Sequence, residues 1–151
     1  MEAPSLLLGV KMRRNIKIVL VPGFSCLSLG AILEPLHTLK KLYPDLMIQY
    51  ELISISGETV LSESGVSINC QNQLQEALKD IRRKAQTSAV FLCCGLKTPF
   101  AVQSLLKRIL RICNQNRIPT FGVGAAGWKM AGSGILSGGE GTVHWTTLAA
   151  F

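Results

Sequence analysis

No Cys-x-x-Cys pair occurs in this chain, although it has five cysteines, Cys26, Cys70, Cys93, Cys94 and Cys113. That removes the paired-thiol zinc motifs, so no metal site is expected, and the odd, irregularly spaced set points to reduced thiols rather than a disulfide framework. Long apolar runs are missing too. The stretch Leu6 to Val10 is far short of the roughly 20 residues that span a bilayer, and no cationic segment precedes it as a secretory signal requires. The expectation is a cytoplasmic protein with no membrane partner. Acidic residues are scarce, 9 against 16 lysines and arginines, which leaves a net charge of +7. Aromatic residues are only 6% of the chain, and none interleave with the basic groups at Lys11 to Lys17, Lys79 to Lys84 and Lys107 to Arg117. No helix-turn-helix pattern can be placed either, so this charge is read as solvated surface and not as a DNA-reading face. Lys107, Arg108 and Arg111 have the spacing of one exposed helix face. Internal repeats, low-complexity linkers, a Ser-His-Asp set, paired carboxylates and a Walker-type loop are all lacking. Gly122-Val123-Gly124 lacks the later glycine of a dinucleotide fingerprint, and no cofactor is expected.

What is present suits one globular domain. The chain has 151 residues, 48% apolar and 17% charged, long enough to bury roughly two thirds of its unfolded surface. Residues 1–15 read as an irregular lead-in, in which Met12 is an alternative start. Ile16 to Val21 is a β-branched run closed by Pro22-Gly23, as expected of a buried parallel strand. From Ser28 to Tyr43 apolar residues recur at helical spacing, with Ser28 as cap, Pro44 as stop and a kink or late start at Pro35. Tyr50 to Ile55 predicts a second strand, and a polar hairpin runs through Val60 and Ile68. A helix over Gln73 to Lys84, a strand over Ala89 to Cys94, a helix from about Pro99 to Asn116 and a strand over Ile118 to Val123 follow. Gly124 and Gly127 then open a helix through Met130, and a glycine-rich stretch leads into Thr142-Val143-His144-Trp145. This order predicts an α/β fold, a three-layer, doubly wound, mostly parallel sheet of flavodoxin-like type with helices on both faces. Ligands of such sheets bind beyond the carboxyl ends of the strands, so the loops after Val21, Cys94 and Val123 are expected to converge on one crevice.

Two anchors carry a family resemblance. The opening IKIVLVPGFSCLSLGAILEPL and the stretch Gly-Ile-Leu-Ser-Gly-Gly with Thr-Val-His-Trp at 134 to 145 resemble the class I glutamine amidotransferase-like (PfpI-type) domain of AraC/GlxA-type transcription regulators. The likeness spans residues 16–151. It implies a sensor domain, incomplete at its C-terminal end as in a truncated product, that binds a small-molecule effector such as an amino acid or quaternary amine. It also implies a homodimer, and DNA contact only through a C-terminal helix-turn-helix domain absent from this chain.

In the catalytic relatives of that superfamily a cysteine nucleophile occupies a sharp strand-to-helix turn, where backbone N–H groups favour the thiolate. The resemblance puts that position at Gly124, followed by Ala125 and Ala126, so no enzyme is expected: glycine suits the turn but cannot attack. The rival reading is a PfpI-like hydrolase or amidotransferase using Cys94, since strand alternation sends one of Cys93 and Cys94 into the core and leaves the other near the crevice. A third is a pure dimerisation module. Cys113 reads as core, and Cys26 and Cys70 carry no constellation. The expected ligand site comprises Phe24, Ser25, Glu34, Cys94, Gly95, Gly124, Ala125, Trp128 and His144. Glu34, matching the acidic residue of the first helix in catalytic relatives, is a dipole-favoured carboxylate or a binder of cationic groups. His144 is a structural or a pocket histidine, Trp128 a pocket wall, and Trp145 core.

Overall fold

A computed structural model describes residues 13–83, 87–98 and 102–134. In chain order the elements are β1 (Arg13–Leu20), α1 (Cys26–Leu42), β2 (Met47–Ser54), β3 (Thr59–Leu61), β4 (Ser67–Asn69), β5 (Asn72–Gln73), α2 (Leu74–Arg82), β6 (Thr87–Cys94), α3 (Val102–Gln115), β7 (Thr120–Gly124) and α4 (Ala126–Ala131). Five strands form one sheet in the order β5-β2-β1-β6-β7, every pairing parallel, while β3 and β4 make a separate antiparallel hairpin. The expected mostly parallel, doubly wound α/β sheet is what the chain forms.

The carboxyl-terminal halves of β1 and β6 are apolar on both faces because both faces are covered there. In β1, Ile18 and Leu20 join a core with Leu29, Ile32 and Leu36 of α1. Val19 and Val21 point the other way, into a core with Leu78 and Ile81 of α2, Leu106 and Ile109 of α3 and Met130 of α4. The period of two along a strand makes this division. In α3 the residues between Leu106 and Ile109, Lys107 and Arg108, are exposed along with Arg111, which is the solvated basic face its spacing predicts.

Several boundaries differ from expectation. β1 begins at Arg13, so Arg13 to Asn15 belong to the sheet and not to a lead-in: Arg13 is in register with Met47 and donates to Gln49 Oε1 at 2.7 Å. α1 begins at Cys26 because Ser25 is its cap, accepting the Ser28 N–H at 3.4 Å; Ser28 is not the cap. Pro35 neither ends nor starts α1. It deprives the Ala31 carbonyl of its helical donor, but Ala31 and Pro35 are both exposed, and water can supply the bond. The hairpin pairs Val60 with Ile68 as its alternation predicts. The glycine-rich stretch beyond Gly134 and the Thr142 to Trp145 run lie outside the described residues, as do residues 1–12 and 99–101.

Candidate ligand crevice

The chain leaves β1 through α1 to reach β2 on one side, then returns through α2 to place β6 on the other side of β1. That reversal lies at the carboxyl ends of β1 and β6, the usual ligand position in open α/β sheets and the place of the expected crevice. The three expected loops do meet there. The Val21 N–H donates to the Cys93 carbonyl at 3.1 Å, and the Ala125 N–H to the Cys94 carbonyl at 3.2 Å. A β-carbon on Gly95 would lie 1.7 Å from the Gly23 carbonyl oxygen, so only glycine lets these two loops touch.

Gly124, at the end of β7, has φ +68°. A β-carbon there would stand 2.7 Å from Ser28 Oγ and 2.8 Å from the Cys94 carbonyl oxygen. The turn is therefore a tight strand-to-helix bend whose inner side is already filled by a hydroxyl of α1 and a backbone carbonyl of β6. It holds a sharp direction change, and its apex residue has no side chain and no room for one.

The remaining expected site residues divide. Ser25 and Trp128 are partly exposed and Gly124 exposed, and Lys129 Nζ lies 4.5 Å over the Trp128 ring. Phe24 is 0% exposed and belongs to the α1 core, so it packs the loop from beneath and cannot line a ligand. Cys94 is also 0% exposed, in the opposite core from Cys93. Alternation has sent both thiols inward, one to each face, with Cys93 Sγ 4.0 Å from the Ser25 carbonyl. Burial, with the Cys93 charge second and Lys129 opposing, pushes the Cys94 thiol up to about 12; burial and then the Cys26 charge do the same to Cys93. The buried Cys113 thiol is likewise raised by burial, which suits its core reading. Gly95 and Ala125 are buried and offer backbone at most. Glu34 is exposed on α1, about 9 Å along the helix axis from Ser28. His144 lies outside the described residues.

The hairpin supplies groups that sequence reading missed. Its tip folds back on the first loop: the Gly23 N–H donates to the Leu61 carbonyl at 2.8 Å and the Glu63 N–H to the Phe24 carbonyl at 3.0 Å. Glu63 Oε2 is 3.2 Å from where a Gly95 β-carbon would be. Cys26 Sγ is 3.5 Å from Ser64 Oγ, which is 3.1 Å from Ser62 Oγ. These hydroxyls, Ser62 first and Ser64 second, hold the partly exposed Cys26 thiol below its ordinary range. Cys26 thus has a constellation after all. The only advance signal was the polar run Ser62-Glu63-Ser64-Gly65 at a turn; its contact with residues 23–26 is long-range and leaves no periodicity.

No family model matches the chain. Two curated relatives are similar at 27% identity: the HTH-type transcriptional regulator CdhR of Pseudomonas aeruginosa, over 93% of this chain, and the HTH-type transcriptional regulator GlxA of Rhizobium meliloti, over 87%. The chain spans 39% of the length of each. Among solved structures, an AraC family transcriptional regulator from Pseudomonas putida superposes with a TM-score of 0.77 at 24% identity, covering 91% of this chain and 70% of that one. A ThiJ/PfpI domain protein from Brachyspira murdochii gives 0.60 at 15% identity, covering 93% and 75%. The fold is therefore that of the DJ-1/ThiJ/PfpI, class I glutamine amidotransferase-like group, and the curated sequence relatives of this chain are HTH-type transcriptional regulators.

Proposed function

We propose that the chain is a non-catalytic, small-molecule-sensing domain of an AraC/GlxA-type transcription regulator, acting as a homodimer and reaching DNA through a separate helix-turn-helix region. The observation that carries this is the bend at Gly124. The geometry suits a nucleophile elbow, yet a side chain at its apex would meet Ser28 Oγ and the Cys94 carbonyl. What such an elbow retains without a nucleophile is a crevice of backbone and hydroxyl groups, a place to bind and not to cleave. Its polar lining is Ser25, the Gly124 turn and the hairpin tip, with Trp128 on the wall.

The Cys94 hydrolase reading gains no support, because a buried thiol raised to about 12 is almost entirely protonated near neutral pH. Peptidase, glutaminase and glyoxalase-type assays on the purified chain test the non-catalytic part: no turnover is expected, and cysteine-dependent turnover abolished by Cys94→Ser would overturn it. Light scattering on the same sample tests the homodimer, which a monomer at micromolar concentration would contradict.

A further inference from the structure

We infer that Glu63, carried on the hairpin tip, is the acidic recognition group of the crevice and makes it select small molecules that bear a positive charge. The inference rests on the crevice being the ligand site, and it names the group that decides what enters. Three observations converge on this carboxylate. The Glu63 N–H is tied to the Phe24 carbonyl at 3.0 Å, and the neighbouring Leu61 carbonyl to the Gly23 N–H at 2.8 Å, so the tip is held against the β1 loop and does not swing free. Glu63 Oε2 lies where the β1 and β6 loops touch, 3.2 Å from the position of a Gly95 β-carbon. Among the described residues its carboxylate has no hydrogen bond and no ion pair, so its charge remains available. On either side of Glu63 in the chain, the Ser64 hydroxyl contacts Cys26 Sγ and Ser62 Oγ, while Ser62 Oγ also accepts the Val66 N–H, so the tip is braced by its own hydroxyls.

The rest of the molecule works against such a preference. A net charge of +7 favours anions at long range, and Glu34, the other carboxylate expected near the site, lies about two turns along α1 from Ser28. Attraction of cations at the crevice mouth therefore has to come from a local group, and among the described residues Glu63 is a carboxylate held where the β1 and β6 loops touch.

Cys26 provides the reporter. In a Cys70→Ala background, which removes the other partly exposed thiol, the chain is treated with aminoethyl (cationic) and sulfonatoethyl (anionic) methanethiosulfonates. Rates are normalised to those of free cysteine, and peptide mass identifies the modified residue. The thiolate displaces sulfinate from either reagent, so only their charge differs. The cationic reagent is expected to react faster at Cys26, and Glu63→Gln to reduce the cation-to-anion rate ratio about fivefold at low salt, as one nearby unit charge predicts. Glu63→Asp should keep most of the preference, which separates charge from folding. A ratio unchanged by Glu63→Gln in a chain with native circular dichroism overturns the inference. A ratio that falls as expected, with no small cation ever binding, leaves Glu63's field established and counts against the sensing role instead.

Discussion

A β-carbon on Gly124 would have to share space with Ser28 Oγ and the Cys94 carbonyl oxygen while its backbone stayed at φ +68°. Both conditions penalise any L-residue, so Gly124→Ala should destabilise the fold by about 1–3 kcal/mol, read as a lower urea midpoint with an unchanged slope. Gly124→Cys should fare no better and gain no turnover. The thiols respond to pH in opposite ways. Cys26, held below its ordinary range by Ser62 and Ser64, should be alkylated by iodoacetamide first, its rate levelling off at a lower pH than that of a free thiol. Cys93 and Cys94 titrate near 12 in the folded chain against an ordinary value of 9.0. Their raised values mean that the folded state holds these protons more tightly. The stability they contribute is full below about pH 9 and is lost as pH rises towards 12. The midpoint of thermal unfolding should therefore fall between pH 9 and 11, and fall less steeply in Cys94→Ala, compared at each pH with its own value at pH 8.

Between elements, the least apolar contact of the core is an ion cluster. Lys17 Nζ on β1 lies 2.9 Å from Glu51 Oε2 on β2 and 3.1 Å from Asp80 Oδ2 on α2, with the lysine side chain 9% exposed and the carboxylates 32% and 43%. Asn72 adds a hydrogen bond to Glu51 at 3.1 Å. Removing the buried cation strands two carboxylates that still reach water, so Lys17→Ala should cost about 1–3 kcal/mol, less than for a fully buried pair. Lys17→Met, which keeps the stem's packing, should cost less, and a denaturation series over both variants checks the order. The elements themselves were largely legible. β1 and β6 announce themselves as β-branched or apolar runs because two covered faces leave no polar alternation, and the hairpin shows its alternation at Val60 and Ile68. The start of α1 is ambiguous in the sequence because Ser25 and Ser28 are both good caps, and only geometry shows which hydroxyl meets an N–H. Loop-adjacent positions such as Phe24 and Cys94 resemble site positions in sequence, whereas their side chains turn into the two cores. Glu63 is illegible for a related reason: the hairpin tip meets the β1 loop only through contacts between residues far apart in the chain, Glu63 N–H to the Phe24 carbonyl and Gly23 N–H to the Leu61 carbonyl.

For the molecule as a whole, excess positive charge is spread over exposed side chains from Arg13 and Arg14 to Lys107, Arg108 and Arg111, with no described element arranged for base readout. Duplex DNA should therefore bind weakly, alike for unrelated sequences, and be released between 50 and 200 mM salt, as fluorescence anisotropy can show; retention of one particular duplex at 200 mM would contradict this. The central claim, that an elbow without a nucleophile has become a binding crevice, is tested most directly by calorimetric titration of the chain with a panel of amino acids and betaines, each mixture being analysed afterwards for chemical change. The account predicts one saturable site for a positively charged member of the panel, recovery of that compound intact, and an affinity loss of about 1–3 kcal/mol in Glu63→Gln. A compound consumed by the chain, or one bound equally well by wild type and Glu63→Gln, would contradict it.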